Sequence, residues 1–565
     1  MIKKLYLPLL MALVVALSSC SNKMGALSSD YFTTTPQVLE AVGGKVPVTI
    51  NGKFPEKYFK KNAVVEVTPV LKWEGGQVKG QPAVFQGEKV EGNDQTISYK
   101  MGGNYTMKTT FDYVPEMAKS ELYLEFNAKV GKKTIAIPAV KIADGVISTS
   151  ELINNTLSSA NPALGDDAFQ RIIKEAHNAN IMFLIQQANI RSSELKTAKE
   201  FNKEVANVND AENKKISNIE ISAYASPDGG VKLNTGLAEN REGNTTKLIN
   251  KDLKKAKIEV PVDAKYTAQD WEGFQELVSK SNIQDKELIL RVLSMHSDPE
   301  VREREIRNIA SAFAVVADQI LPKLRRSLFV VNTELIGKSD DELKALAKSN
   351  PADLNVEELL YSATLFDNNN DKLAIYEACM KQFPNDWRGF NDAGMIQFEM
   401  GNIAAAQSNF NKANSMSANN PVVQNNLGAV ALKNGDLKQA EIYFGAATGA
   451  GDEVNYNKGI VAIKSGDYTA AVNYFGQCNC VNAALANVLA GNNNEALKKL
   501  NAENKECPMS YYLKAVIGAR TNDATAVIEN LRKACSLDGS FKQLAATDME
   551  FAKFFENNDF IAITK

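Results

Sequence analysis

A chain of 565 residues is too long for one hydrophobic core and calls for several domains. Hydrophobic content of 44% beside 23% charged residues argues against long disorder. A net charge of −3 leaves no basic excess of the kind a nucleic-acid partner needs.

Lys3 and Lys4 precede an apolar run from Leu5 to Ala16, too short to cross a bilayer but right for a secretory h-region. Residues 1–20 are therefore expected to be a signal peptide. The following Leu17-Ser18-Ser19-Cys20 resembles the lipobox of bacterial lipoproteins. That resemblance implies cleavage before Cys20 and its lipidation, palmitate among the chains expected. One chain would hold weakly and several stably. The alternative is an ordinary signal peptide with an incidental cysteine. Ser21, Asn22, Lys23 and Met24 carry none of the acidic residues by which surface-exported lipoproteins of some lineages resemble one another, so the expected address is the periplasmic face of the outer membrane.

From about Val46 to Val146 the pattern has period two. Val65, Val67, Leu71 and Trp73 alternate with polar residues, and so do Tyr105, Met107, Phe111 and Tyr113, then Leu122, Leu124, Phe126 and Ala128. Glycine turns separate these runs, which predicts a β-sandwich over residues 38–147. No titratable cluster marks it, and a spacer role is its plain reading.

Residues 148–180 read as a polar segment leading into a short helix at Ala168–Ala176. A strand at Ile181–Arg191, a helix at Ser193–Val208 and a strand at Ile216–Ala225 follow. That order predicts a mixed α+β domain over 168–337, with a helical insertion at 256–323. In the insertion Trp271, Phe274 and Leu277 share a helical face and read as core, while the mixed charges of residues 298–310 read as a solvated helix with i,i+4 pairs.

Beyond Pro351 the strand pattern stops. "GNIAAAQSNFNKA" at 401–413 recurs as "GDLKQAEIYFGAA" at 435–447 and "GDYTAAVNYFGQC" at 466–478. Gly394 to Gly428, Ala406 to Ala440 and Phe410 to Phe444 share one period, and Gly459 and Phe475 continue it with a shorter step. This resembles the tetratricopeptide repeat and implies an α-solenoid over 351–560 with a concave groove for a protein partner. Asn426 and Asn457 stand two residues before Gly428 and Gly459, where peptide-binding relatives hold ligand; structural hydrogen bonding is the alternative.

In the middle, "ISAYASPDGGVKLNTGLAENR" at 221–241 places Asn234, Leu237, Ala238 and Arg241 in the register Asn-x-x-Leu-(Ser/Ala)-x-x-Arg. Together with "LRRSLFVV" at 324–331, which includes Arg325, the stretch resembles the OmpA-like, peptidoglycan-associating domain. The resemblance implies that Arg241 grips a stem-peptide carboxylate while an acidic residue takes the peptide's amine. Here Ser226 occupies the acidic position and Asp228 is the nearest carboxylate. Asn234 and Arg241 lie two turns apart, about 10 Å, on one helix face, and the loop glycines leave room for a ligand backbone. Arg241 is expected either to hold such a ligand or to form an ion pair with Asp228 or a neighbouring glutamate.

Cys379, Cys478, Cys480, Cys507 and Cys535 read as small packing residues, since Cys478-Asn479-Cys480 lacks zinc or thioredoxin spacing. His177 and His296 fall in separate elements, and no catalytic constellation, metal site or cofactor motif accompanies them. The resulting expectation is a non-enzymatic, lipid-anchored scaffold facing the periplasm. It would bind peptidoglycan through Ser226, Asp228, Asn234, Arg241 and Arg325, and an unidentified protein through the repeats. The alternatives are an assembly adaptor whose OmpA-like domain has lost the wall, and a surface-exposed binding lipoprotein.

Overall fold

The computed structural model describes residues 24–154, 160–503 and 506–565. The expected signal peptide and Cys20 lie outside the described residues, as do Asn155, Ser158 and Ser159. The chain divides into two compact units. One joins the segment up to Asp166 with Lys372–Lys565, and the other is Asp167–Asp371.

In the first unit the period-two segments form two sheets. Phe32–Thr35, Lys45–Phe54 and Gly103–Asp112 make an antiparallel three-stranded sheet. The second runs in the order Gln95–Ile97, Ala83–Gly87, Ala63–Trp73, Ser120–Val130, Lys133–Gly145, with Gly76–Lys79 on the far half of Ala63–Trp73. Alternation decides which side chains meet. Val46, Val48, Ile50, Tyr105 and Phe111 of one sheet share a core with Val65, Val67, Leu71, Leu122 and Leu124 of the other.

The same unit continues as helical hairpins: Trp387–Glu399 with Ile403–Met416, Pro421–Lys433 with Leu437–Ala446, Asp452–Lys464 with Tyr468–Phe475, Val481–Leu489 with Asn493–Ala502, and Pro508–Arg520 with Ala524–Leu537. Each turn is written locally. Gly435 and Gly466 take φ of 81° and 79°, which a side chain would resist, and the next residue caps the second helix, Asp436 accepting from the Gln439 amide and Asp467 from the Ala470 amide. The two helices of a hairpin touch where a glycine meets a ring. A Cβ on Gly394, Gly428 or Gly459 would lie 2.6–2.7 Å from a ring carbon of Phe410, Phe444 or Phe475. All three phenylalanines are buried in one core that runs the length of the array.

The second unit holds a four-stranded sheet in the order Ile172–Met182, Arg326–Ile336, Lys214–Tyr224, Val262–Thr267, antiparallel except for its last pair. Helices Leu195–Asn209 and Val231–Ala256 cover it through Phe201, Val205, Ile249 and Leu253, packed on Ile219, Ile221, Phe329 and Val331. The helical insertion has its own core around Phe274, Ile289, Leu293 and Val316. Arg307 pairs with Glu303 at i,i+4. Three expectations are corrected. The stretch read as a helix from Ala168 is strand from Ile172, the strand read at Ile181–Arg191 ends at Met182, and the insertion expected to be helical over 256–323 includes the sheet's fourth strand, Val262–Thr267, which pairs with Lys214–Tyr224. Ile-Ile-Lys-Glu-Ala has good helix propensity, but eleven paired residues along Arg326–Ile336 outweigh a preference of tenths of a kcal/mol per residue.

The glycine contacts give opposite signs for the same substitution. Gly428→Ala gains about 1 kcal/mol of helix propensity but drives a methyl into Phe444, costing roughly 1–3 kcal/mol, so the melting temperature should fall. Gly445, in the partner helix of the same hairpin, has open space at Cβ, and Gly445→Ala should raise the melting temperature by a few degrees.

Candidate functional site

The inner helices of the first three hairpins present a polar seam. Asn391 and Asp392, Asn425 and Asn426, and Asn457 are all buried, and Asp392, Asn426 and Asn457 stand two residues before the three ring-contacting glycines. Burying five such side chains costs several kcal/mol unless each is hydrogen-bonded. Part of their partners comes from one another: Asn426 Nδ2 donates to Asn391 Oδ1 at 2.9 Å, and Asn457 Nδ2 to Asn425 Oδ1 at 2.9 Å.

The remaining partners belong to the segment that precedes the central domain. Asn457 accepts from the Asn161 amide at 2.7 Å and donates to its carbonyl at 2.9 Å. Asn426 accepts from the Ala163 amide at 2.7 Å and donates to its carbonyl at 2.8 Å. Asp392 accepts from the Gly165 amide at 2.7 Å. Asn425 and Asn391 each add a bond at 3.0 Å, to the Asn161 and Ala163 carbonyls. Every second residue of the segment is held through its backbone, the pattern of an extended chain, and the segment runs against the order of the repeats. A carboxamide is suited to this because it offers one donor face and one acceptor, the same complement as the peptide group it meets.

Upstream, Thr149–Asn154 forms a short 3-10 helix whose Leu152 and Ile153 enter the solenoid core. Ser150 Oγ donates to the Ala41 carbonyl at 2.8 Å, and Thr149 Oγ1 to Glu550 at 2.5 Å. Arg520 binds Glu550 through Nε and Nη2 and caps the Val488 carbonyl at 2.6 Å. Beside it, Asp548 accepts from Tyr512 Oη at 2.6 Å, and burial with the adjacent Glu550 charge pushes its pKa up to about 6. Asn426 and Asn457, expected either to hold ligand or to make structural hydrogen bonds, hold peptide backbone that is the chain's own. Sequence reading did not include Asn391, Asp392, Asn425 or residues 160–165. The glycine register would have supplied Asp392, whereas the segment reads only as polar linker.

The five residues expected to take peptidoglycan are engaged with their own unit. Arg241 is 1% exposed, and its guanidinium donates to the Gln187, Tyr224 and Leu184 carbonyls at 2.9, 2.8 and 3.2 Å while packing on Phe183. Desolvation lowers its pKa to about 10, which leaves it charged at neutral pH. Neither an open fork nor an ion pair of Arg241 with Asp228 forms. Asp228 instead pairs with Arg325 at 3.0 Å, and Ser226 Oγ bonds Asp228 and accepts from Arg325 Nε at 3.2 Å. Asn234 closes the loop by donating to the Ser226 and Gly229 carbonyls at 3.0 and 2.8 Å. The crevice left between Asp228, Asn234 and Arg241 measures about 30 Å³, room for one or two waters. The physical cause is local: the loop at 184–188 turns the Leu184 and Gln187 carbonyls inward, Tyr224 at the end of its strand supplies a third, and the buried guanidinium is satisfied by all three.

Two of the cysteines depart from the packing expectation: Cys478 and Cys480 form a disulfide with Cα atoms 5.5 Å apart, in the turn between two hairpins, whereas Cys379 and Cys535 are buried among the helices as expected. The buried Lys499 ammonium donates to the Gly476 and Cys478 carbonyls at 2.8 and 3.0 Å and fixes that turn.

Residues 452–479, the third hairpin, match the tetratricopeptide repeat family. A search of curated proteins finds no match. Among solved structures the chain is similar to a tetratricopeptide repeat protein from Parabacteroides merdae, at 16% identity over 37% of this chain and 91% of that one, TM-score 0.29. It is similar to PilF of Pseudomonas aeruginosa, at 13% identity over 38% and 99%, TM-score 0.30. It is also similar to YrrB, described as a tetratricopeptide repeat protein with an unusual peptide-binding site, at 16% identity over 32% and 97%, TM-score 0.26. The matched hairpin is a tetratricopeptide repeat, a unit that points towards interaction with other proteins.

Two measurements check the groove. Asn426→Ala leaves the Ala163 amide and carbonyl and the Asn391 side-chain oxygen Oδ1 short of a partner, and chemical denaturation should register a loss of roughly 2–4 kcal/mol. Asp548 is an acid raised in the folded state, so its contribution is fully present below about pH 4 and is lost as pH rises through about 6, a change of about 3 kcal/mol. The stability of wild type relative to Asp548→Asn should fall by that order between pH 4 and 7, measured by urea unfolding.

Proposed function

We propose that the chain is a lipid-anchored docking scaffold of the bacterial outer membrane, held at Cys20 on the periplasmic side, whose solenoid takes a protein partner and whose role is binding rather than catalysis. Under this reading the central domain, with its resemblance to the OmpA-like module, is a structural support that no longer contacts the wall. The observation that supports it most is the asparagine seam, a surface of five buried polar side chains set to hold peptide backbone. Against wall contact stand the satisfied Arg241 and the pairing of Asp228 with Arg325. A protein ligand also suits the chain's mild charge of −3, since neither a polyanion nor an anionic surface would be attracted by it.

Cross-linked envelopes are expected to yield the full-length chain joined to a second protein through peptides of residues 387–537, and the purified chain should stay in the supernatant over isolated sacculi. A solenoid joined to nothing would refute the docking role. Sedimentation with sacculi that disappears in Asp228→Ala would restore wall binding.

A further inference from the structure

The seam is already full. The question is what a full groove does on a protein that docks others, and the answer depends on how the resident segment is held.

Residues 160–165 are gripped through backbone, not through side-chain identity. Seven hydrogen bonds from the seam reach the backbone of Asn161, Ala163 and Gly165. The side chains add a requirement of size. Ala160 and Ala163 are buried, and a Cβ on Gly165 would come within 3.1–3.3 Å of Arg388 and Trp387, so these three places take small residues. Leu164, by contrast, is 38% exposed, so its place tolerates variety. The side chains that bond the segment's backbone at Asn161, Ala163 and Gly165 are neutral amides apart from Asp392, and a charge brought to the position of Ala163 would have to be buried.

We infer that the inner face of the solenoid is a reader of extended backbone, that residues 160–165 are its resident ligand, and that a partner protein enters through a segment of the same chemistry, small residues at the three buried places, which exchanges with the resident one. This rests on the docking role proposed above and adds the mode of recognition and the competitor. The competition has a size. A tethered segment acts at an effective concentration in the millimolar range, so a free peptide of about 100 μM intrinsic affinity binds the intact chain roughly tenfold more weakly. Recognition of this kind is selective for a free, extended segment, and it spares the groove from folded surfaces.

The test uses the full-length chain and a fluorescent peptide of residues 160–167. The double substitution Asn161→Pro with Ala163→Pro removes two of the amides the seam accepts from and empties the groove, and this variant should bind the peptide at least tenfold more tightly than wild type. Adding Asn426→Ala and Asn457→Ala should abolish that binding, and a peptide N-methylated at Asn161 and Ala163 should not bind. Hydrogen exchange on the wild type provides a reading free of variant folding: millimolar peptide should deprotect the chain's own Asn161, Ala163 and Gly165 amides while the solenoid helices stay protected. If those amides stay protected, or if wild type and the double variant bind peptide equally, the exchange is overturned. A partner that still cross-links to the solenoid in that case leaves the docking role standing and removes only the resident-ligand inference.

Discussion

The first unit depends on one kind of contact, a side-chain amide standing in for a strand. A β-sheet edge would satisfy an extended segment with a row of backbone donors and acceptors, and a helical array has no such row to offer. Asn391, Asn425, Asn426 and Asn457 supply it from helices, each repeat advancing the chain by two residues. The helices must therefore stand at a fixed spacing, and the glycine-to-phenylalanine contacts within the first three hairpins, too close for any side chain, set it. Packing and recognition are two readings of one register, because Asp392, Asn426 and Asn457 sit two residues before the glycines, and Asn391 and Asn425 three.

How much of this was legible varies with the physical origin of each signal. The sandwich was readable because a half-buried sheet writes its burial in alternate residues, as at Val65, Val67 and Leu71. The hairpins were readable because small residues recur where helices touch. Asn426 and Asn457 were identified by register and are in the groove, though what they hold comes from the same chain. Residues 160–165 were illegible for a reason of principle. A ligand segment is stabilised by contacts made hundreds of residues away, so nothing periodic in it betrays the role. The strand at Ile172–Met182 failed for a related reason, since local propensity pointed to a helix and pairing with Arg326–Ile336 decided otherwise.

In the central unit Asn234 and Arg241 lie on one helix, and both side chains are buried and bonded to the loops that frame them. A guanidinium with three carbonyl partners and an aromatic face beneath it is a strong local organiser. It ties the end of the strand Lys214–Tyr224 to the loop after Ile172–Met182 and so knits the domain.

The discontinuity of the first unit has a thermodynamic corollary. The rungs at Asn161 and Ala163 close over separations of 296 and 263 residues. Bringing together ends so far apart costs about 5 kcal/mol of chain entropy for an otherwise free loop, more than a single rung of about 1–2 kcal/mol returns. An isolated rung is therefore unstable in the unfolded chain, and during folding the rungs form together with the docking of Leu152 and Ile153 that brings the segment to the helices.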